Sequence, residues 1–142
     1  MKTIVALVDF SDVASKVLQQ VQTIAQAFKS HVTVLHGMPG ITPAVALEAP
    51  AVIEESPEAI QADLARLQTL TEPLRACGVD VTLKQFRDAT TASIVEEALR
   101  LGADVIVVGS HQHSPFYNLL IGSVTNSVLM DAKCPVVVVP MD

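Results

Sequence analysis

The sequence predicts an open α/β fold, a parallel sheet with helices packed on both of its faces. Short, β-rich apolar runs over residues 4–8, 32–35, 79–86, 105–108 and 136–139 alternate with segments of helical period, giving the order β-α-β-α-β-α-β-α-β. Such alternation carries each strand through a crossover helix into a parallel neighbour. Runs such as 4–8 are apolar at consecutive positions, as strands covered on both faces are. Half of the 142 residues are hydrophobic and 17% are charged, so residues 1–142 read as one domain with material for a buried core.

The first strand ends at Asp9. Ser11 or Asp12 caps the next helix, where Val17, Leu18, Val21, Ile24, Ala25 and Phe28 recur as one stripe expected in the core. His31 and His36 flank the second strand and read as structural. Gly37, Pro39, Gly40, Pro43 and Pro50 then mark a long loop reaching about Glu55. Ser56-Pro57 opens a helix with the stripe Ile60, Leu64, Leu67 and Leu74; Gly78 ends it, and Pro73 is expected to kink or shorten it. After the third strand, Thr90 or Thr91 opens a helix carrying Ile94, Val95, Ala98 and Leu99, closed by Gly102. A last helix over about 122–132 separates the fourth and fifth strands.

The net charge of −6, with nine scattered basic residues, argues against general affinity for nucleic acid or anionic membrane, which need clustered Lys and Arg. Only six residues separate Lys2 from Asp9, too few for a signal-peptide core. The uncharged stretch 105–130 is broken by Gly109, Ser110, His111, Gln112, His113, Ser114 and Pro115, so it is not a spanning helix. Cys77 and Cys134 show neither CxxC nor metal-type spacing and read as buried thiols of a cytoplasmic protein.

In an open parallel sheet the ligand crevice lies beyond the carboxyl ends of the strands. Two such ends carry unusual residues, Asp9-Phe10-Ser11 after the first strand and Gly109-Ser110-His111 after the fourth. Gly122-Ser123-Val124-Thr125 then leads into a helix, where free N–H groups and the hydroxyls of Ser123 and Thr125 suit a phosphate, although Gly-Ser is also an ordinary cap. There is no GxxxxGK[ST], GxGxxG or GxSxG, which argues against a Walker NTPase, an NAD enzyme or a hydrolase elbow. His111 and His113 lack further ligands for a metal.

Val107-Val108-Gly109-Ser110-His111, Leu120-Ile121-Gly122-Ser123-Val124-Thr125 and Ala132-Lys133-Cys134-Pro135-Val136-Val137-Val138-Val139-Pro140 together resemble the C-terminal signature of the universal stress protein family. Val8-Asp9-Phe10-Ser11 resembles its first strand and turn. The resemblance implies a Rossmann-like sheet, of the adenine nucleotide alpha hydrolase type, with five parallel strands in the order 3-2-1-4-5 and Asp9 beside Gly109. It also implies a phosphate loop of the form G-x2-G-x9-G-[ST], in which Gly109, Gly122 and Ser123 match and Gln112 replaces the middle glycine. On that basis Asp9 and the backbone near His36 and Gly37 would meet adenine or ribose, and Leu7, Val8 and Val108 would line the base and sugar pocket. Gly109, His111, Gly122, Ser123, Val124 and Thr125 would surround the phosphates.

Gln112 would either fill phosphate space or donate a hydrogen bond to it; where a glycine uses positive φ, another residue costs about 1–2 kcal/mol. With no Lys or Arg from Val105 to Met130, phosphate charge falls to backbone donors, the helix terminus, hydroxyls, a histidine or bound Mg²⁺. The bound species is then ATP, ADP or AMP, with weak triphosphate binding as one outcome. No general base, arginine finger or clamping lysine is evident, so efficient catalysis is not expected. The resulting expectation is a nucleotide-binding stress-response or signalling module. The alternatives are a relative that acts through an unidentified protein partner without nucleotide, and a slow ATPase or autophosphorylating protein using Ser110, Ser114 or Ser123. In the implied order the fifth strand is an uncharged valine edge between Pro135 and Pro140, suited to a homodimer, which the resemblance also implies.

Overall fold

The computed structural model describes residues 1–8, 13–39, 57–89, 91–110 and 128–140. Its elements are β1 (Thr3–Val8), α1 (Val13–Phe28), β2 (His31–Pro39), α2 (Pro57–Ala76), β3 (Asp80–Ala89), α3 (Thr91–Arg100), β4 (Val105–Ser110) and β5 (Val136–Pro140). Residues 128–131 are helical as well. The five strands form one sheet in the order β3-β2-β1-β4-β5, and every pairing is parallel. That is the predicted architecture.

Two apolar layers explain the unbroken apolar runs. On one face Ile4, Ala6 and Val8, with Val32, Val34, Val105 and Val107, pack against Val17, Leu18 and Val21 of α1 and Leu67 and Leu74 of α2. On the other, Val5, Leu7, Leu35, Ile106 and Val108 pack against Val95 and Ala98 of α3 and against Val128. A strand such as β1, central and buried on both sides, gains nothing from a polar residue at alternate positions. Gly78 (φ 82°) and Gly102 (φ 73°) end α2 and α3 in the left-handed conformation that spares a glycine its Cβ clash.

Several expectations need correction. The second strand does not stop at Leu35, nor the third at Phe86: His36 to Pro39 pair with Gln85 to Ala89, across an irregularity between Gly37 and Pro39. A ladder partner overrides the turn preference of Gly37 and Pro39. His31 and His36 consequently lie within β2 instead of flanking it. The fourth strand likewise runs on through Gly109 and Ser110, which pair with Val139 and Pro140.

Phe28 is 54% exposed, not core, because α1 ends there and Lys29 turns the chain away at φ 53°. Pro73 does not end α2, which continues to Ala76; an exposed ring so near the helix end removes one backbone donor and little else. Cys77 is exposed and Cys134 half-buried, so neither is a fully buried thiol. Cys77 follows the end of α2, where its sulfur accepts from Gln22 Nε2 at 3.1 Å. Expectations for Asp9, Ser11, Asp12, the loop 40–55, Ser56, Thr90 and residues 111–127 lie outside the described residues.

Side-chain bonds tie the amino end of the sheet. Asp104 accepts from the backbone N–H groups of Lys2 (2.8 Å) and Thr3 (2.9 Å), and these bonds hold its carboxyl below the usual carboxylate range. Ser30 Oγ donates to the Met1 carbonyl at 2.8 Å. This leaves the carboxyl end of the strands as the end where a site can form.

Candidate functional site

The chain leaves β1 to build β2 and β3 on one side, then crosses to β4 and β5 on the other. The carboxyl ends of β1 and β4 therefore flank the point where strand order reverses, and connections depart from it toward opposite faces. β1 stops at Val8, level with His36 of β2, while β2 and β3 continue together to Pro39 and Ala89. The paired overhang of β2 and β3 stands beyond the end of β1 on one side of this point.

On its α1 face the sheet carries a row at this end. Gln85, His36 and Val8 are in register on β3, β2 and β1. Continuing the Ala6–Val107 pairing brings Gly109 beside Val8, and Gly109 pairs in turn with Val139. His36 is 6% exposed. The amide nitrogen Nε2 of Gln85 is buried with no hydrogen-bond partner among the described residues. A buried amide donor without an acceptor is costly, which marks Gln85 as the candidate functional residue of this row.

On the opposite face Leu7 and Val108 share one apolar cluster with Leu35 and Val128, and Ser110, 6% exposed, follows them along β4. The predicted lining is thus brought to one end of the sheet but divided between its faces: Leu7 and Val108 beneath α3, Val8 and Gly109 beneath α1. The Gly37 backbone continues β2 along the overhang. Asp9, His111, Gln112, Gly122, Ser123, Val124 and Thr125 lie outside the described residues.

Sequence reasoning missed two residues here. Gln85 looks like one polar position in an alternating strand; only its register with His36 marks it. Val13 carries no sequence signal, yet it covers Gly109 closely. Among the described residues no group of three or more His, Cys, Asp or Glu side chains could hold a metal ion. No described helix is long and apolar enough to cross a membrane.

A parallel five-stranded sheet whose order reverses between β1 and β4 defines a doubly wound α/β protein, a class that holds ligands beyond the carboxyl ends of its strands. The profile of the universal stress protein family matches residues 1–140, and the chain belongs to that family. A universal stress protein of Methanocaldococcus jannaschii is 29% identical over 139 residues, covering 97% of this chain and 81% of that protein. A solved universal stress protein from Archaeoglobus fulgidus superposes with a TM-score of 0.74 at 27% identity, covering 97% and 98% of the two chains. A structure of the universal stress protein from Archaeoglobus fulgidus in complex with dAMP gives a TM-score of 0.70 at 25% identity, covering 97% of each chain.

Proposed function

We propose that this protein is a cytoplasmic adenine-nucleotide-binding module of a stress response or signalling path, without efficient catalysis. The observation that carries the reading is the end of the sheet at β1 and β4, where Val8 lies in a row with buried His36 and the buried amide nitrogen of Gln85 while Leu7 and Val108 line the opposite face. A flat base suits such apolar residues, and the Gln85 amide offers a donor to its edge. The dAMP complex of the 25% identical Archaeoglobus relative supports the same ligand class.

In this reading Asp9 and the His36–Gly37 backbone meet adenine or ribose. His111, Gln112, Gly122, Ser123, Val124 and Thr125, with the backbone of Gly109, surround the phosphates. The uncharged stretch 105–130 makes AMP and ADP better ligands than ATP, for which Mg²⁺ would have to offset the added charge. Two copies join through β5, an edge strand whose Val136, Val137 and Val138 are half-buried; Leu129 and Met130, 45% and 77% exposed on the preceding helix, extend its apolar margin.

Calorimetric titration of nucleotide-stripped protein with AMP, ADP and ATP, each with and without Mg²⁺, tests the reading. Micromolar AMP binding that Gly122→Asp weakens at least about tenfold is expected, since a carboxylate there repels phosphate. No heat from a folded protein would sink it. Gln112 in the place of a loop glycine favours the second reading, a protein that acts through a protein partner; a large gain in affinity on Gln112→Gly would mark the native loop as impaired.

A further inference from the structure

Gly109 matches the first glycine of a phosphate loop, but the structure gives it a different neighbour. It lies outside the left-handed region, so no backbone conformation demands glycine there. Space does. A Cβ on Gly109 would lie 2.7 Å from Cγ1 and 2.9 Å from Cγ2 of Val13, and 3.1 Å from Cγ2 of Val17. The first turn of α1 therefore fills the volume above Gly109 on this face.

We propose that Gly109 is a positioning residue of the nucleotide site, acting through Val13. Its bare Cα seats the first turn of α1 on β4. In sequence the connection 9–12, which includes Asp9, joins Val8, the last residue of β1, to Val13, which packs on Gly109 of β4. Both ends of that connection are thus tied to the two strands that flank the reversal of strand order. A side chain at position 109 drives Val13 off its seat, because packed helices shift as units instead of absorbing a 2.7 Å contact. The start of α1, where that connection ends, then moves relative to the end of β4. The inference rests on the nucleotide reading of this end of the sheet, but it makes a separate claim: the glycine serves the helix, and a phosphate has no part in that requirement.

A double-mutant cycle on the whole chain separates the two roles. Val13→Ala deletes the two closest of the three γ-carbons that a Cβ on residue 109 would meet, leaving only Val17 Cγ2 at 3.1 Å, so it makes most of the room for Gly109→Ala. Two readouts are followed in the wild type, both single variants and the pair: AMP affinity by calorimetry, and amide hydrogen exchange of Val13 and Ala14. Gly109→Ala alone is expected to weaken AMP about tenfold or more and to speed exchange in that first turn. Val13→Ala in the same chain is expected to restore affinity to within about threefold of the Val13→Ala single variant, and to restore protection.

An affinity loss that persists undiminished in the double variant would overturn the proposal, since a ligand that needs the bare Cα gains nothing from a trimmed valine. Unchanged exchange in Gly109→Ala would overturn it too. If Gly109→Ala does not fold, folding of the double variant is the rescue, and failure of both counts against the seat. Should the wild type bind no AMP, the nucleotide reading fails by itself, and rescue of exchange and folding still decides between seat and no seat.

Discussion

Near β3 the two faces of the sheet treat polar residues in opposite ways. On the α3 face they are paired: His31 Nδ1 lies 2.8 Å from Asp80 Oδ2, Thr82 Oγ1 lies 3.1 Å from His31 Nε2, and Glu97 takes both Lys84 and Arg100. On the α1 face Gln85, the next residue after Lys84, keeps a buried amide nitrogen with no partner among the described residues. Among the described residues the difference follows from cover. α3 has 10 residues and leaves Thr82 in solvent, whereas α1 and α2 bring 16 and 20 residues and an almost wholly apolar layer. Where water reaches, charge pairs are cheap to build; beneath two helices a lone amide is costly, and stability does not account for it. The paired face holds the fold, and in the proposed reading the Gln85 amide serves the ligand.

The largest effect expected from that contrast is at Glu97. Its side chain is 7% exposed and binds Arg100 at 2.6 and 2.9 Å, with Lys84 as its other partner. Glu97→Ala leaves Lys84 half-buried without its counter-charge and is expected to cost about 2–3 kcal/mol in urea unfolding, less than a fully buried pair because Arg100 stays in solvent. AMP affinity should not change. The same residue sets an acid response: hydrogen bonds from Arg100 and then Lys84 hold its carboxyl at about 2, down from 4.5. A carboxylate with a lowered folded pKa stabilises fully above its unfolded value, so this contribution is present above about pH 4.5 and lost as pH falls toward 2. Glu97→Gln should flatten the stability profile across that window; a profile as steep as the wild type's would show that other carboxylates carry it.

Gln85 is the opposite case. Gln85→Met keeps the length of the side chain and removes the unpaired donor, so stability is expected to hold or to rise by up to about 1 kcal/mol. AMP affinity is expected to fall about tenfold, the worth of one hydrogen bond made only in the complex. A stability loss with unchanged affinity would reverse the contrast and make the amide part of the fold.

The strands were legible because burial on both faces leaves consecutive apolar residues, as in Ile4 to Val8, and no other pattern competes with that. Their ends were not. Gly37 and Pro39 have local turn preferences, and only pairing with Phe86 and Ala89 keeps them in the strand. Of the candidate site, the sequence placed the strand ends that lie at the reversal of strand order, but not the packing around them. Gly109 reads as a phosphate-loop glycine, while its tightest constraint is Val13, 96 positions earlier (109 − 13). Phe28 fits the helical stripe by spacing, yet the helix ends there and leaves it exposed.

The smallest effect tests whether the paired face is held throughout or only at Glu97. His31 bridges Asp80 and Thr82 at the amino ends of β2 and β3, with side-chain exposures of 37% for His31 and 82% for Asp80. An interaction so open to water is screened, and ordering the two side chains offsets much of what remains. His31→Ala is therefore expected to cost less than about 1 kcal/mol, and Asp80→Asn to add little in the double variant, because both changes remove the same contact. A cost near that of Glu97→Ala would mean that the amino end of β3 depends on this bridge, so that charge pairing holds the α3 face along the whole strand.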